Sequence, residues 1–495
     1  MLRSSLRRSL VAAAGLLTTA IALQACNSTI TDVGVPASPS FTLTLGRGTI
    51  PVAQGASATT SIRATRSGGL TTPISFAPIN VPTGISAIIT GTDVADSATL
   101  TVTVTGRIDP GTYAMTVNAV AAGAASRQAT VQVAVSVVAG EVPEISFVVA
   151  GSHTCALTTE GAAYCWGYNG HGELGNNDTA TVNARPVAVS GGLAFQMLAV
   201  SHVDGVTCGI TFAGAAYCWG QNDGGQLGDA STTDRLTPTP VSGGLTFMSL
   251  AVGTAHACGI AVGGAAYCWG TSPNGAFGDG ITGTHLTPTL IAPNLTFESI
   301  VAGSDYTCAV ALGGTAYCWG LGVQGQLGNN TASISSTPVA VAGGLRFRAL
   351  SAGGMSVCGV TLDEQAYCWG YNFFGTLGDG TLQRRLTPVA VAGGLTFQRV
   401  SVGFETTCGL TNLGAGYCWG YNFGALGDGT ADHRSTPGAI LGGFRFQSIS
   451  AGTGYSCGVT TDRTVFCWGD NSNGELGDGT TDARETPTLV RWPSG

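Results

Sequence analysis

A unit of about 50 residues built around Cys-x9-Cys-Trp-Gly recurs seven times and restricts the fold more than any other feature of the sequence. The second cysteines are 53, 50, 50, 50, 50 and 49 residues apart, at Cys165, Cys218, Cys268, Cys318, Cys368, Cys418 and Cys467. Each unit reads as an apolar strand, a strand with the first cysteine, a turn, "AYCWG" or a variant, a Gly-rich loop and a segment such as "TPVAV". Four short strands at a fixed period are typical of propeller blades. The repeats therefore predict an all-β fold, with a seven-bladed β-propeller over residues 142–495.

The composition agrees with short strands and excludes one class of partner. Only 10% of the residues are charged and 76 of 495 are glycine, which disfavours long helices. The net charge is −8, and no run of basic residues occurs beyond the first ten positions. Nucleic-acid binding needs clustered cations, so we expect no nucleic-acid partner.

Residues 1–25 have the composition of an export signal. Three arginines precede an apolar run from Leu10 to Leu23, which is too short for a stable transmembrane anchor. The run ends in "LQAC", which resembles the lipobox of bacterial lipoproteins. By this resemblance Cys26 becomes the lipidated first residue of a cell-envelope lipoprotein, at the outer membrane or cell surface. The alternative is a plain secretory signal with an incidental cysteine. Both alternatives place the mature chain where disulfides persist.

Two further segments precede the repeats. Residues 26–40 are small and polar and contain prolines, which is typical of a tether. Residues 41–140 contain alternating β-branched runs separated by turn residues, which predict a two-sheet β-sandwich. Within them, "DPGTYAMTV" followed by "ATVQVAVSV" is similar to the closing strands of bacterial immunoglobulin-like domains. We interpret this segment as an Ig-like spacer.

The cysteines of the repeats predict one disulfide in each hairpin. With Cys26, the seven pairs account for all 15 cysteines: Cys155–Cys165, Cys208–Cys218, Cys258–Cys268, Cys308–Cys318, Cys358–Cys368, Cys408–Cys418 and Cys457–Cys467. A hairpin loop with an odd number of residues places both members of a pair on one side of the sheet. A metal is not expected, because each hairpin offers two thiolates without a nearby histidine and structural zinc needs four ligands.

The hairpin turns carry a glycine where a three-residue loop needs a left-handed residue. This glycine is present in five repeats, at Gly161, Gly214, Gly264, Gly314 and Gly414. Glu364 and Arg463 take its place in repeats five and seven, where we expect a different turn.

The tryptophan of Cys-Trp-Gly is present in every repeat, which favours a core residue between blades over a ligand-binding residue. Five repeats also carry an aspartate six positions before a basic residue, and we expect an ion pair from each: Asp229–Arg235, Asp279–His285, Asp379–Arg385, Asp428–Arg434 and Asp478–Arg484. The alternative for these loops is a calcium site. The full run of Asp or Asn ligands with a closing Glu is absent from them.

The ends of the repeat region predict how the ring closes. The last repeat lacks a following strand of the "FQSISAG" type, whereas "ISFVVAG" precedes the first cysteine pair. We therefore expect one blade to be assembled from both ends of the domain, which would leave no long open sheet edge.

The pattern "HTCAL…YCWGYNxxGxLG" resembles the repeat of the regulator of chromosome condensation family over roughly 350 residues. The resemblance implies a seven-bladed propeller, and other members are protein-binding modules. The family's best-known member promotes nucleotide exchange on a small nuclear GTPase. An exported chain has no access to that partner, so guanine-nucleotide exchange is not expected.

The longer connections of each repeat predict a binding surface. In a four-stranded meander, the connection between the first and second strands and that between the third and fourth lie on one face, and variable loops on a rigid scaffold often carry function. Aromatic residues are dense in the loops of repeats five and six, which indicates an interaction surface. The candidate partner-binding residues are Tyr371, Phe373, Phe374, Tyr421 and Phe423 from these loops, with His153, Tyr306 and Tyr455 before the first cysteines.

These observations predict a lipid-anchored, non-enzymatic binding module. We expect a monomer with a protein partner of unknown identity, and no cofactor, metal or catalytic residue. The alternatives are an enzyme, such as a lyase or hydrolase, with its site in the central mouth of the propeller, and a secreted-type enzyme inhibitor. The six histidines are scattered and show no metal-binding spacing.

Overall fold

The computed structural model describes residues 38–53, 57–82, 85–91, 96–104, 111–136 and 143–493. The export signal, Cys26 and most of the predicted tether lie outside the described residues. The chain divides into two compact units, Met1–Ser136 and Val137–Gly495, each of which is described by itself. Among the described residues, none belongs to a helix long and apolar enough to span a membrane.

Unit 1 contains two four-stranded sheets around a shared apolar core. Its strands are β1 (Ser40–Leu45), β2 (Thr49–Ala53), β3 (Ser57–Ser67), β4 (Ile74–Ile79), β5 (Ile85–Thr90), β6 (Ser97–Val104), β7 (Gly111–Ala121) and β8 (Arg127–Ser136). The sheet orders are β1-β3-β6-β5 and β2-β8-β7-β4. Ile62 and Leu100 from the first sheet pack in one cluster with Met115 and Val133 from the second. The alternating apolar residues therefore bury one face of each sheet, as their period of two predicts.

Unit 2 contains seven consecutive four-stranded antiparallel sheets, named repeat sheets 1 to 7. The first strands are β9 (Ile145–Ala150), β13 (Phe195–Val200), β17 (Phe247–Val252), β21 (Phe297–Ala302), β25 (Phe347–Ala352), β29 (Arg399–Val402) and β33 (Phe446–Ala451). The second strands, which carry the first cysteine, are β10 (His153–Thr158), β14 (Val206–Thr211), β18 (His256–Ala261), β22 (Tyr306–Ala311), β26 (Ser356–Thr361), β30 (Thr406–Leu410) and β34 (Tyr455–Thr460).

The third strands carry Cys-Trp-Gly, and the fourth strands form the other edge of each sheet. The third strands are β11 (Ala163–Tyr168), β15 (Ala216–Gly220), β19 (Ala266–Ser272), β23 (Ala316–Gly320), β27 (Ala366–Gly370), β31 (Gly416–Gly420) and β35 (Val465–Gly469). The fourth strands are β12 (Val182–Ala188), β16 (Arg235–Pro240), β20 (Gly283–Ile291), β24 (Ser335–Ala340), β28 (Arg385–Ala390), β32 (Arg434–Ala439) and β36 (Arg484–Leu489). Residues from all seven first strands line one cavity of about 760 Å³.

Antiparallel order fixes two faces of unit 2. The connections from first to second strands and from third to fourth strands lie at the same ends of their strands, and we call this side the loop face. The hairpin turns between second and third strands lie on the other side, the turn face. In repeat sheet 1, residues 151–152 and 169–181 belong to the loop face, and residues 159–162 belong to the turn face.

Seven tryptophans join neighbouring sheets by one repeated contact, which we call the tryptophan seam. Each is fully buried. Its indole N–H donates to a backbone carbonyl of the preceding sheet's Gly-rich loop, at 2.7–2.9 Å. The pairs are Trp219–Glu173, Trp269–Gln226, Trp319–Ala276, Trp369–Gln326, Trp419–Thr376, Trp468–Ala425 and Trp166–Glu475. A glycine two residues beyond each carbonyl lies against the ring. At Gly328 (φ 62°) a Cβ would be 2.8 Å from Trp369 Nε1. The seam explains why the tryptophan and this glycine occur in every repeat.

The prediction of one sheet assembled from both chain ends is wrong. β9 pairs with β10 in repeat sheet 1, and β33 to β36 form repeat sheet 7 from one continuous segment. The reason is the phase of the repeat, because the apolar strand precedes the cysteine hairpin of its own sheet. The two ends meet by packing, since β9 contacts β33 and β34. Across this junction Trp166 donates to Glu475, and the Ala150 N–H donates to Ser450 Oγ at 2.9 Å.

The two cysteines of each pair lie directly opposite each other in the register of the second and third strands, as Cys155 and Cys165 do. The structure places all seven pairs at S–S distances of 2.07–2.11 Å. The expected change of turn in repeats five and seven is wrong. Glu364 (φ 65°) and Arg463 (φ 67°) take the left-handed conformation of the glycines in the other repeats. The Glu364 N–H still donates to the Thr361 carbonyl, which closes the same turn.

Candidate functional site

Six aromatic rings from repeat sheets 5 and 6 form one continuous surface group on the loop face. This aromatic cluster consists of Tyr371, Phe373, Phe374, Tyr421, Phe423 and His433. Phe373 is 64% exposed and Phe423 is 60% exposed, whereas Phe374 is half-buried beneath them. The structure thus brings together all five candidate residues from the two aromatic loops.

The rings contact one another across the boundary between the two sheets. Phe374 lies edge-on to Tyr421, with ring centroids 4.8 Å apart, and to Phe373, at 5.1 Å. Tyr421 stacks on His433 at 4.8 Å and meets Phe423 edge-on at 5.0 Å. Such edge-on and stacked contacts are the favourable aromatic geometries. The cluster is therefore packed from below and open from above.

A buried asparagine in each loop fixes which side chains face outward. Asn372 Oδ1 accepts the Leu377 N–H at 2.9 Å, and its Nδ2 donates to Asp379 and to the Thr381 and Gln383 carbonyls. Asn422 makes the equivalent bonds in repeat sheet 6. With the asparagine held inside, the residues next to it in sequence are left nearer the surface.

The predicted ion pairs brace these loops. Four are present as Asp–Arg ion pairs: Asp229–Arg235 at 2.7 Å, Asp379–Arg385 at 2.6 Å, Asp428–Arg434 at 3.1 Å and Asp478–Arg484 at 2.8 Å. In the fifth, His285 Nε2 lies 2.9 Å from Asp279, and the carboxylate in each of the five is largely buried. Although burial raises it, hydrogen bonds from Thr381 and Arg385 hold the pKa of Asp379 below its ordinary value. The calcium alternative therefore has to displace an arginine or histidine from each of these carboxylates.

A cleft adjoins the aromatic cluster at the boundary with repeat sheet 7. This Glu405 cleft has a volume of about 380 Å³ and is lined by Phe404, Glu405, Tyr421, Phe423, Thr453, Gly454, Asp470 and Ala483. Burial raises the pKa of the Glu405 carboxyl. Burial and the nearby Glu405 and Asp470 also raise the pKa of the Tyr421 hydroxyl. The shift of Glu405 therefore reports its desolvation, whereas part of the Tyr421 shift reflects the negative charge of the two acids beside it.

Three candidate residues are buried and are not exposed on the loop face, which corrects the prediction from sequence. His153, Tyr306 and Tyr455 are 0–1% exposed. They begin the second strands and reach under the loops to the next sheet. His153 Nε2 lies 2.6 Å from Thr207 Oγ1, and the Tyr306 hydroxyl donates to the Ser356 carbonyl at 2.7 Å. Tyr455 accepts from Thr154 Oγ1 at 2.8 Å. Each of these side chains contacts the next sheet, so the three residues join sheets.

Sequence reasoning missed His433, Phe404 and Asp470, and it placed Glu405 on the loop face without joining it to them. A usable signal exists for His433, because it directly precedes the arginine of an ion pair, as Asp234 does in repeat sheet 2. The two residues do the same work: the Asn222 N–H donates to Asp234 at 2.8 Å, and the Asn422 N–H donates to His433 Nδ1 at 3.0 Å. No comparable signal joins Glu405 to Asp470, which come from different repeats.

The central cavity is the place where the sequence analysis put the site of a possible enzyme. Its titratable lining residues within the described chain are His202, Arg348 and Arg399, without a carboxylate. Within residues 143–493 and the described parts of unit 1, no group of three or more His, Cys, Asp or Glu side chains is placed to hold a metal ion.

Two family models match unit 2. The RCC1-like domain matches residues 196–494, and the regulator of chromosome condensation (RCC1) repeat matches residues 148–173. The first match alone covers more than half of the chain.

Characterised relatives share only part of their length with this chain. Human E3 ubiquitin-protein ligase HERC2 is 34% identical over 115 residues, which is 22% of this chain and 2% of that protein. The Protein RCC2 homolog of Danio rerio is 34% identical over 102 residues, or 20% of each protein. The ligase activity in the first name therefore belongs to a protein of which this chain matches a very small share.

Solved structures show the fold over most of unit 2. Human WBSCR16 has a TM-score of 0.62 at 20% identity, with 67% of this chain and 94% of that chain covered. Prp20p from Saccharomyces cerevisiae has a TM-score of 0.59 at 22% identity, with 68% and 87% covered. Together with the family models, these likenesses show that the chain belongs to the RCC1-like domain family and that its repeats form an RCC1-type β-propeller.

Proposed function

We propose that this chain is a non-enzymatic protein-binding module, and that its partner docks on the loop face at the aromatic cluster. The observation that carries the proposal is the exposure of Phe373 and Phe423 above a packed aromatic base. Exposed phenylalanines of this kind lose water-contacting area when a partner covers them, and aromatic side chains are frequent anchors of interfaces.

The structural neighbours support a protein as the partner. One solved structure is Kap60 bound to yeast RCC1 (Prp20), and another study of Prp20p describes binding to Gsp1p and histones. Those partners belong to the yeast protein. What carries over to this chain is the use of the propeller as a platform for other proteins.

Finer parts of the proposal concern architecture and place in the cell. We take the seven repeat sheets as the seven blades of one closed ring, and unit 1 as an Ig-like spacer. The "LQAC" motif supports lipidation of Cys26 and a place in the cell envelope. In that location guanine-nucleotide exchange has no substrate. We expect the module to act as a monomer.

Site-specific photocrosslinking tests the binding face. A photoreactive phenylalanine analogue replaces Phe373 or Phe423 in the otherwise unchanged chain, which is illuminated in the envelope of the source cells. We expect one discrete adduct from both positions, with the same partner identified by mass spectrometry. Replacement of both residues by serine should abolish co-purification of that partner.

Leu312 and Leu413 provide the matched control. Both are exposed apolar residues, at 72% and 78%, but they lie on the turn face. The analogue at these positions should not give the same adduct. Equal adducts from both faces, or unchanged capture by the double serine variant, contradict the proposal.

A further inference from the structure

The Glu405 cleft combines a carboxylate without a partner and a wall of aromatic rings. Within the described residues, the Glu405 side chain has no hydrogen-bond or ion-pair partner, although it is half-buried. Its neighbours Tyr421, Phe423 and Phe404 line the same cleft. A partly desolvated carboxylate is costly when unpaired, and aromatic faces attract cations.

No cation of the cleft's own loops satisfies this carboxylate. The two arginines of the adjoining loops, Arg434 and Arg484, pair with Asp428 and Asp478. His433 accepts the Asn422 N–H on Nδ1, which requires that nitrogen to be unprotonated. Asp470, the second acid of the cleft, uses its oxygens to accept N–H and O–H groups of its own loop and adds further negative charge.

The same position in repeat sheet 4 shows what is particular to the cleft. Asp305 also lies three residues before the first cysteine, is half-buried, and has a pKa raised by burial. Its carboxylate has a partner, because Asn274 Nδ2 donates to it at 3.4 Å. The neighbouring loop of its own sheet reads "LGVQG" where repeat sheets 5 and 6 read "YNFFG" and "YNFG". The loop beside Asp305 in its own sheet therefore contributes no aromatic side chain.

We propose that the Glu405 cleft binds a lysine or arginine side chain of the protein partner, with the cation held between the Glu405 carboxylate and the rings of Tyr421 and Phe423. This inference rests on the proposed function and adds the chemistry of the recognised group. Phe373 and Phe423 supply apolar area, whereas Glu405 selects a positive charge and so gives the contact its specificity.

This chain contains no lysine, because all 20 of its Lys and Arg residues are arginine. Its side chains therefore contribute no primary amine to a crosslinking experiment. A carbodiimide joins carboxylates to primary amines without a spacer. With an acetylated hexalysine peptide as the probe, side-chain amines come only from the probe. We expect mass spectrometry to find Glu405 as the dominant linked residue, about tenfold above Asp305. Labelling spread evenly over exposed carboxylates overturns the inference.

Affinity provides the second measurement. Fluorescence anisotropy of labelled hexalysine at about 0.15 M salt, where long-range attraction is screened, should show about tenfold weaker binding to Glu405→Gln. Asp305→Asn removes the same charge from the same face and should weaken binding less than about twofold. Phe423→Leu should also weaken it, because the cation loses a ring. Equal losses from Glu405→Gln and Asp305→Asn contradict the proposed site.

The photocrosslinking experiment separates this inference from the function on which it rests. If the analogue at position 423 captures the partner equally well with and without Glu405→Gln, the cation inference is wrong and the binding face stands. If the analogue captures nothing beyond the turn-face control, the proposed function itself fails.

Discussion

The tryptophan seam and the aromatic cluster use similar side chains for opposite purposes. The seven tryptophans are fully buried and each donates to a carbonyl of the preceding sheet. Phe373 and Phe423 lie one loop away on the same sheets, and more than half of each side chain is exposed. The seam is present in every repeat, whereas the cluster exists in two of them. The tryptophans hold the sheets together in every repeat, whereas Phe373 and Phe423 occur only in the loops of repeats five and six, where they are exposed.

Truncation of one aromatic side chain from each region tests whether the seam stabilises the fold and the cluster does not. Trp369→Ala removes a buried indole and leaves the Gln326 carbonyl without its donor. We expect a loss of about 3–5 kcal/mol in stability, measured as a lower midpoint of urea unfolding. Phe373→Ala on the same sheet should change the free energy of unfolding, measured in the same way, by less than about 0.5 kcal/mol. A large loss from both variants would mean that the cluster is part of the core.

The disulfide of repeat sheet 5 gives the next largest effect. Cys358→Ala with Cys368→Ala removes a bond that closes a short hairpin, so we expect a loss of about 2–3 kcal/mol in unfolding measurements. Capture of the partner at position 373 should persist, since the cluster does not contact these cysteines. Non-reducing peptide mapping of the unchanged chain should find seven bridges within repeats. Free thiols in most repeats would contradict the pairing.

Buried histidines make the contacts between neighbouring sheets sensitive to acid. Burial lowers the pKa of His256 to about 4, and its Nε2 lies 2.9 Å from Thr307 Oγ1 in the next sheet. In the unfolded chain the pKa is ordinary, about 6.5. The unfolded state therefore takes up the proton first, and stability falls as pH drops from 6.5 towards 4. The slope is at most about 1.4 kcal/mol per pH unit for this histidine.

His256→Gln isolates that contribution. Unfolding midpoints at several values between pH 7 and pH 5 should fall less steeply for the variant than for the unchanged chain. Carboxylates such as Glu405 titrate in both proteins, so their contribution cancels in the difference. The control is His433→Gln, which makes the same replacement at a histidine of the exposed aromatic cluster. Equal pH dependence of His256→Gln and the unchanged chain would show that His256 does not titrate on unfolding.

The sequence predicted well the features that every repeat shares, and poorly those that belong to single repeats. The difference has a physical reason. Seven copies of Cys-x9-Cys-Trp-Gly predicted the all-β fold and the hairpin register, because each copy repeats the same local constraint. His153, Tyr306 and Tyr455 were misplaced because variability alone does not separate a loop position from a contact between sheets. Glu405 and Asp470 lie in different repeats and line one cleft only in the folded chain, so neither spacing nor composition joins them. The phase error at the chain ends has the same origin, since a periodic sequence does not mark where a sheet begins.

The smallest expected change in stability comes from the loop ion pair, which some repeats have and others lack. Asp379 pairs with Arg385 at 2.6 Å, whereas repeat four has Asn329 and Ser335 at the equivalent positions. Arg385→Gln should cost up to about 1 kcal/mol, because the arginine is partly exposed and screened. Asn329→Asp with Ser335→Arg transfers the pair into repeat four and should gain no more than that amount. Both changes leave the seam untouched, so hydrogen exchange should report altered protection only in the loops they brace. A global change in protection would mean that the loops and the seam unfold as one unit. The repeated core and the variable loop face would then differ in sequence but not in stability.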